Sequence, residues 1–262
     1  MPYNKLNTLL KVDNVSKSYG DKQILHNINF DIKDIVRPNL TQGQVISLIG
    51  KSGCGKSTLF KILSGLNKPT TGTVLIDGTK PVKAGDMGVV PQNYLLFNHR
   101  SVRKNLEMAA KKNTNTKDIK TEIAKYASIF QFEDQLDKYP LQLSGGQRQR
   151  VSITQQLLTG NFYILFDEPF SGLDRLVKKE VIKVLRDVSL LNEFNTLIIV
   201  SHDFESSVSI SDTVLVMGSD GKNPGSTIKK EIDLIERDLV WHENVNEMPQ
   251  FRETIKEIES LL

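Results

Sequence analysis

The apolar positions along this chain fall into two textures. Val45 to Ile49, Asn161 to Phe166, Thr196 to Val200 and Val214 to Met217 are short, almost unbroken apolar runs. Strands covered on both faces read this way, because neither side meets water. Ile24 to Ile32 instead sets Ile28, Phe30 and Ile32 at every second position, the period of a strand with one wet face. Val12 to Val15, with a turn at Tyr19-Gly20-Asp21, predicts its hairpin partner. Gly72 to Asp77, closed by Gly78, and Met87 to Val90, ended by Pro91, complete the predicted strands. A loose connection containing Pro38 and Gly43 spans Asp34 to Gln44.

Helical spacing takes over elsewhere. Leu59 to Leu66 reads as a short helix. Asn105 to Lys111, Ile119 to Phe130 and Gly146 to Leu158 read as three more, and few strand signals separate them, so Phe97 to Leu158 is a candidate helical insert. Leu173 to Leu191 aligns Val177, Val181, Val184, Val188 and Leu191 on one face. After Thr196 to Val200 comes Ser201-His202-Asp203 and a further short helix. Gly218 to Gly225 reads as a linker, followed by a polar tail. Its end places Phe251, Ile255, Ile258 and Leu262 on one helical face, expected to pack on the body of the protein rather than on a membrane. Strands alternating with helices predict an α/β fold.

Composition narrows the function classes. At 262 residues, 39% hydrophobic and 25% charged, the chain is an ordinary globular sequence with room for one large domain. A net charge of +3, dispersed, gives no electrostatic argument for nucleic acid. The single cysteine, Cys54, excludes an internal disulfide and fits a reducing compartment. Met1 to Leu10 lacks a signal-peptide core, and no apolar run reaches the roughly 20 residues that span a bilayer. The expectation is a soluble protein that reaches a membrane only through a partner.

Three stretches carry chemistry. Gly50-Lys51-Ser52-Gly53-Cys54-Gly55-Lys56-Ser57-Thr58 joins a buried strand to a helix start. Its glycines let the backbone wrap an anion, and the helix presents its positive end to the same anion. Lys56 can reach the outer phosphates of a nucleoside triphosphate, and the Ser57 hydroxyl can ligate Mg²⁺. Cys54 offers its amide there rather than its thiol. Tyr163 to Glu168 is an apolar strand ending in two carboxylates. Asp167 can hold the metal shell, and Glu168 can orient and deprotonate a water for in-line attack on the γ-phosphate. Leu143-Ser144-Gly145-Gly146-Gln147-Arg148-Gln149-Arg150 opens a second helix with paired glycines. One triphosphate site does not need two such cradles, so the second is expected to complete the site of another copy, burying ATP between two chains.

Together these motifs resemble the nucleotide-binding subunit of an ABC transporter, over Val12 to Met217. Gly50 to Thr58 resembles its Walker A, Ile164 to Glu168 its Walker B and Leu143 to Gln147 its signature. The resemblance implies a P-loop NTPase (RecA-like) core over about 1–96 and 160–218, with an antiparallel β subdomain. It also implies an α-helical signature subdomain over about 97–159 and a tail over 219–262. Gln92 falls at the Q-loop, a metal and water sensor. Ser171-Gly172-Leu173-Asp174 resembles the D-loop that crosses the dimer, His202 the switch histidine, and Tyr19 the aromatic that stacks on adenine. The implied partners are a second copy or a homologous ATPase subunit, membrane permeases, and for an importer a solute-binding protein, at the cytoplasmic face of the membrane. Phe166-Asp167-Glu168-Pro169-Phe170 and the tail Glu236 to His242 resemble importer ATPases for nitrate, sulfonate, taurine or bicarbonate.

Lys51 stands where the family often has proline, Gln155-Gln156 where it has Arg-Ala, and the Asp34 to Gln44 connection is longer than usual. A soluble ABC ATPase in an assembly complex is the nearest rival. A guanine reader is disfavoured, since Asn67-Lys68-Pro69-Thr70 lacks the reading Asp, and Glu168, His202 and Gln92 speak against a non-catalytic module. Tyr94 to Phe97 is an apolar run with two readings, a docking surface or buried core.

Overall fold

The computed structural model describes residues 3–37, 42–114, 118–240, 242 and 244–262. Its strands divide between two sheets. The smaller is antiparallel, in the order β2-β1-β4-β5, from β1 (Asn4–Tyr19), β2 (Lys22–Val36), β4 (Thr71–Ile76) and β5 (Lys80–Pro81). The larger has the order β10-β9-β3-β8-β7-β6, from β3 (Gln44–Ile49), β6 (Gly88–Val90), β7 (Tyr163–Asp167), β8 (Thr196–Ser201), β9 (Thr213–Gly218) and β10 (Thr227–Asp233). Its pairs are parallel except β10 on β9.

The unbroken apolar runs are the strands of this second sheet, and the burial pattern explains them. Every residue of β3, β8 and β9 is buried. Alternate side chains serve opposite faces. Val45, Ile164, Phe166, Leu197 and Ile199 enter a core shared with helices α2 (Val102–Ala110), α3 (Ile119–Ile129), α4 (Gly145–Leu158) and α5 (Arg175–Leu190). Ile46, Leu48, Leu165, Ile198 and Val200 face a second core with α1 (Lys56–Leu63) and the inner face of the β1–β2 hairpin. A third cluster joins β9 and β10 to α6 (Phe204–Val208) and α7 (Pro249–Leu261).

The hairpin is far longer than its apolar signal. Pairing runs from Tyr19↔Lys22 to Asn4↔Val36, so β1 extends well before Val12 and Asp34 to Val36 belong to a strand rather than to a loose connection. Pro38 of that connection lies outside the described residues. Register shifts bend the hairpin, one of them between Val12 and Val15, where Asn14 has φ +52°. Gly72, at φ +81°, passes so close that a Cβ there would sit 2.3 Å from the Asn14 carbonyl oxygen. Only glycine satisfies both conditions.

A buried ion pair anchors the end of the hairpin. The guanidinium of Arg37 meets the Asp212 carboxylate, whose other oxygen accepts the Val45 N–H at 2.7 Å. The Asp212 backbone also bonds Val45 and Leu234, so one residue links β2, β3 and the segment after β10. Removing either charge alone would leave the other buried and uncompensated.

The tail is not a bare polar extension. Thr227 to Asp233 forms β10 against β9, with Ile232 its one buried side chain. As expected, the last helix packs on the body: Phe251 and Ile258 are buried in the third cluster, and Ile255 and Leu262 are partly buried against it. Trp241 of the tail motif lies outside the described residues. Gln156, where the family pattern has another residue, accepts the N–H of Val89 at 3.3 Å and supports the edge strand β6. Among the described residues, no helix is long and apolar enough to cross a membrane.

Phe251→Ala should cost about 3–5 kcal/mol, the usual loss for a buried phenylalanine. Thermal unfolding should show a midpoint several degrees lower; an unchanged midpoint would refute the seating of α7.

Candidate functional site

Parallel pairing delivers three strand ends to one edge of the larger sheet: Ile49 lies opposite Ser201, and Asp167 opposite Val200. The glycine loop starts there. A Cβ on Gly50 would lie 2.5 Å from the Met217 carbonyl oxygen, so the chain can leave the sheet only through glycine. Gly53 and Gly55 take φ of +83° and +97°. Gly55 caps α1, whose first turn holds no acidic residue, and the hairpin residues Ile24 and Leu25 press against it. The N–H groups of Gly53, Gly55 and Ser57 have no hydrogen-bond partner among the described residues. Unpaired donors at a helix start form an anion cradle.

Lys56 is 6% exposed and held at the centre of this loop. Its Nζ donates to the carbonyls of Gly50 at 2.8 Å and Lys51 at 3.1 Å, and lies 3.8 Å from Glu168 Oε1. Lys51, Ser52 and Ser57 are exposed around it, and Thr58 continues α1. Burial pushes the Cys54 thiol up, and the Lys56 charge offsets this only in part. The thiol is therefore a packing group.

Asp167 and Glu168 are adjacent but differently placed. Asp167 Oδ1 is buried without a hydrogen-bond partner. Burial raises its carboxyl pKa, the neighbouring Glu168 charge adds to this, and Lys61 and Lys56 pull the other way. A buried, unpartnered carboxylate oxygen beside an anion cradle suits a hard divalent cation. Glu168 adopts φ +51° and donates its N–H to the Val200 carbonyl at 2.8 Å. A positive φ on a side chain this large is strain of the kind found at functional sites.

Its carboxylate is fixed by three donors. Glu168 Oε2 accepts from His202 Nδ1 at 2.7 Å, from the His202 N–H at 3.2 Å and from Ser201 Oγ at 3.3 Å. Donation from Nδ1 leaves Nε2 of the exposed imidazole directed away from the pair. The network continues. Asp203 N–H donates to Ser201 Oγ at 3.0 Å, and the Asp203 carboxylate pairs with Lys178 of α5. Burial alone would raise the Asp203 carboxyl, yet Lys178 and the Ser206 N–H hold it below the ordinary carboxylate range.

Gln92 is exposed two residues beyond β6, and the Val90↔Phe166 pairing sets it beside the end of β7. The run after it divides. Tyr94 and Leu96 pack against the core, and burial pushes the Tyr94 hydroxyl up to about 12. Leu95 and Phe97 are 72% and 46% exposed. The core reading holds for Tyr94 and Leu96, while Leu95 and Phe97 lie on the surface. Tyr19, 52% exposed at the hairpin turn, accepts a bond from Asn67 Nδ2 at 2.8 Å, with Lys17 Nζ 5.0 Å from its ring centre.

The remaining motif residues stand apart. Ser144 Oγ accepts from the Gln147 N–H at 3.3 Å, and the Gln147 side chain accepts from the Ser144 N–H at 3.0 Å, closing a capping box. A Cβ on Gly145 or Gly146 would meet nothing within 4 Å, so this chain's own packing does not demand either glycine. Asp174 caps α5 by accepting from Leu176 and Val177 at 2.9 and 3.0 Å. Among the described residues, no hydrogen bond or ion pair joins Ser144 to Gln147, or Asp174, to the glycine loop or to Glu168. Ser201, Asp203 and Lys178 join the site unannounced. Ser201 and Asp203 flank the histidine in sequence; Lys178 has no sequence signal, because its partner is distant along the chain.

A family model described as ABC transporter matches residues 33–171. The chain belongs to the ABC transporter family. It is 37% identical, over 79% of its length, to the sulfate/thiosulfate import ATP-binding protein CysA of Mesostigma viride, and spans 59% of that protein. With the Fe(3+) ions import ATP-binding protein FbpC of Fusobacterium nucleatum subsp. nucleatum it shares 34% identity over 79% of this chain and 55% of the relative. The fold is that of ABC ATPase domains. The solved cbiO1 of Clostridium perfringens, part of the ABC transporter complex cbiONQ, aligns with TM-score 0.75 at 26% identity, over 97% of this chain and 96% of that one. A dimeric ATP-binding cassette in a post-hydrolysis state, bound to ADP and Pi, aligns with TM-score 0.69 at 27% identity, over 86% of this chain and 98% of that one.

The depressed Asp203 pKa means that its ionised form stabilises the fold, fully above the unfolded carboxyl value and decreasingly as pH falls through the folded one. Asp203→Asn should unfold earlier in urea than the parent at neutral pH. The gap should stay constant down to about pH 5, narrow as pH falls below the ordinary carboxyl value of about 4, and close only below the lowered folded value, where the folded parent carboxyl is also neutral. A gap independent of pH would contradict the assignment.

Proposed function

We propose that this chain is the ATP-binding and ATP-hydrolysing motor subunit of an ABC importer. The observation that carries this is the Glu168 carboxylate, held by His202 and Ser201 on one side and facing Lys56 of the glycine loop on the other. The names of two relatives, both import ATP-binding proteins, support the same reading.

In this reading the loop from Gly50 to Thr58 wraps the triphosphate, Lys56 counters the charge of its outer phosphates, and Tyr19 stacks on adenine. Ser57, Gln92 and Asp167 hold Mg²⁺, which when bound neutralises phosphate charge. Glu168 takes a proton from a water aligned with the γ-phosphate. An oxygen–phosphorus bond forms as the bond to the bridging oxygen breaks, and ADP and phosphate result. His202 keeps Glu168 oriented through Nδ1 and offers Nε2 to the γ-phosphate.

The site is half of a pair. Ser144, Gly145, Gly146 and Gln147 of a second copy close over the nucleotide, with Asp174 crossing between the chains. Two observations support this: the glycines at 145 and 146 have open space about them, and the aligned cassette bound to ADP and Pi is a dimer. Closure of the dimer then drives permease partners at the cytoplasmic face of a membrane, with a solute-binding protein completing an importer. The helical region at about 97–159, with exposed Leu95 just before it and exposed Phe97 at its start, is the permease-facing part. The proposed solute is a small oxyanion, the class that includes the sulfate/thiosulfate of one relative and the nitrate or sulfonate suggested by the sequence resemblance. The second relative is named for a different solute, Fe(3+) ions.

Glu168→Gln should retain ATP binding, lower turnover by at least about a hundredfold, within the range of a lost general base, and accumulate a nucleotide-locked dimer on size exclusion. An unchanged rate would remove Glu168 from this role. Ser144→Arg should abolish hydrolysis while leaving ATP binding by isolated monomers intact; loss of monomer binding would refute the shared site.

A further inference from the structure

A cavity of about 720 Å³ lies between α5, α6 and α7, away from the glycine loop. Its size falls in the ordinary range for small-molecule sites. Five cations line it: Arg175, Lys178 and Lys179 from α5, and Arg252 and Lys256 from α7. Only Asp203 and Glu205 oppose them. The lining therefore carries a net +3, as much as the whole 262-residue chain. Like charges brought together from two separate helices repel one another, and an anion relieves that cost. Lys178 is already paired with Asp203, and no ion pair engages Arg175, Lys179, Arg252 or Lys256 among the described residues. Ile182, Phe251 and Ile255 supply apolar walls between the charges.

We propose that this cavity binds a small organic anion carrying two phosphate groups, and that its occupancy slows ATP hydrolysis. The charge count selects the ligand: two dianionic groups can engage Arg252 and Lys256 at one end and Lys178 and Lys179 at the other, and the apolar walls accept a carbon body between them. The effect follows from the neighbour that Lys178 would share. Lys178 holds Asp203, Asp203 donates its N–H to Ser201 Oγ, and Ser201 donates to Glu168. An anion that draws Lys178 away loosens a chain of contacts ending on the carboxylate that activates water. The regulatory half rests on the hydrolytic reading above; the binding half does not.

The test uses fructose 1,6-bisphosphate as probe on the full chain, by calorimetry with and without saturating ADP and Mg²⁺. ADP fills the glycine loop, so binding in its presence reports a second site. Expected is binding that persists with ADP and weakens as salt rises. Arg252→Glu/Lys256→Glu, two exposed positions on α7, should bind at least about tenfold more weakly, as should Lys179→Glu from the other wall. The probe should also slow the ATPase of the unmodified chain at saturating ATP by about fivefold or more, the lower end of ordinary coupling, and leave the rate of the double variant unchanged. Binding that is lost with ADP, binding insensitive to charge reversal, or binding without an effect on hydrolysis overturns the proposal. Binding of a hexaglutamate peptide with no response to the bisphosphate overturns it too, in favour of an acidic protein partner. A chain that binds the probe but hydrolyses no ATP instead refutes the motor reading and leaves the binding site standing.

Discussion

The parallel register of β3, β8 and β7 is the constraint on which the rest depends. It sets Ile49 against Ser201 and Val200 against Asp167. Lys56, Glu168 and His202 thereby meet at one edge without any of them choosing its place alone. The register itself is held by burial on both faces, since a slip by one residue would exchange the side chains belonging to two different cores. The site's geometry is thus paid for by apolar packing that has no chemistry of its own.

Within that frame, charge does the fine positioning. Lys56 is satisfied by two carbonyls as well as by Glu168, and Glu168 by three donors on one oxygen. Asp167 is the contrast, with an oxygen buried and unmatched. Neighbouring carboxylates in such different surroundings are suited to different tasks, one to a proton and one to a cation. The same economy extends outward through Ser201 and Asp203 to α5, so the helix that begins at the Asp174 cap is mechanically continuous with Glu168.

What could be read from the sequence follows physical rules. Strands buried on both faces were legible because their apolar runs are unbroken, as at Thr196 to Val200. Strands at a wet edge were not: Asn4 to Leu9 and Thr227 to Asp233 bury few side chains, and their pairing is made by backbone atoms that composition does not register. Motifs confined to one segment, such as Gly50 to Thr58, could be placed residue by residue. Contacts between segments could not, which is why Lys178 and Ser201 enter only with the fold. Tyr94 to Phe97 shows a subtler limit, since an apolar run can be core and surface at alternate positions.

The tenth strand has a bearing on where this protein can be cut. Without residues after 218, β9 would become the open margin of the sheet: six residues, all otherwise enclosed, offering a ladder of free amides and carbonyls to any passing chain. The acidic and basic side chains of β10 and the helix behind it blunt that margin. A segment with so little apolar signal is therefore what keeps the protein from adhering to itself.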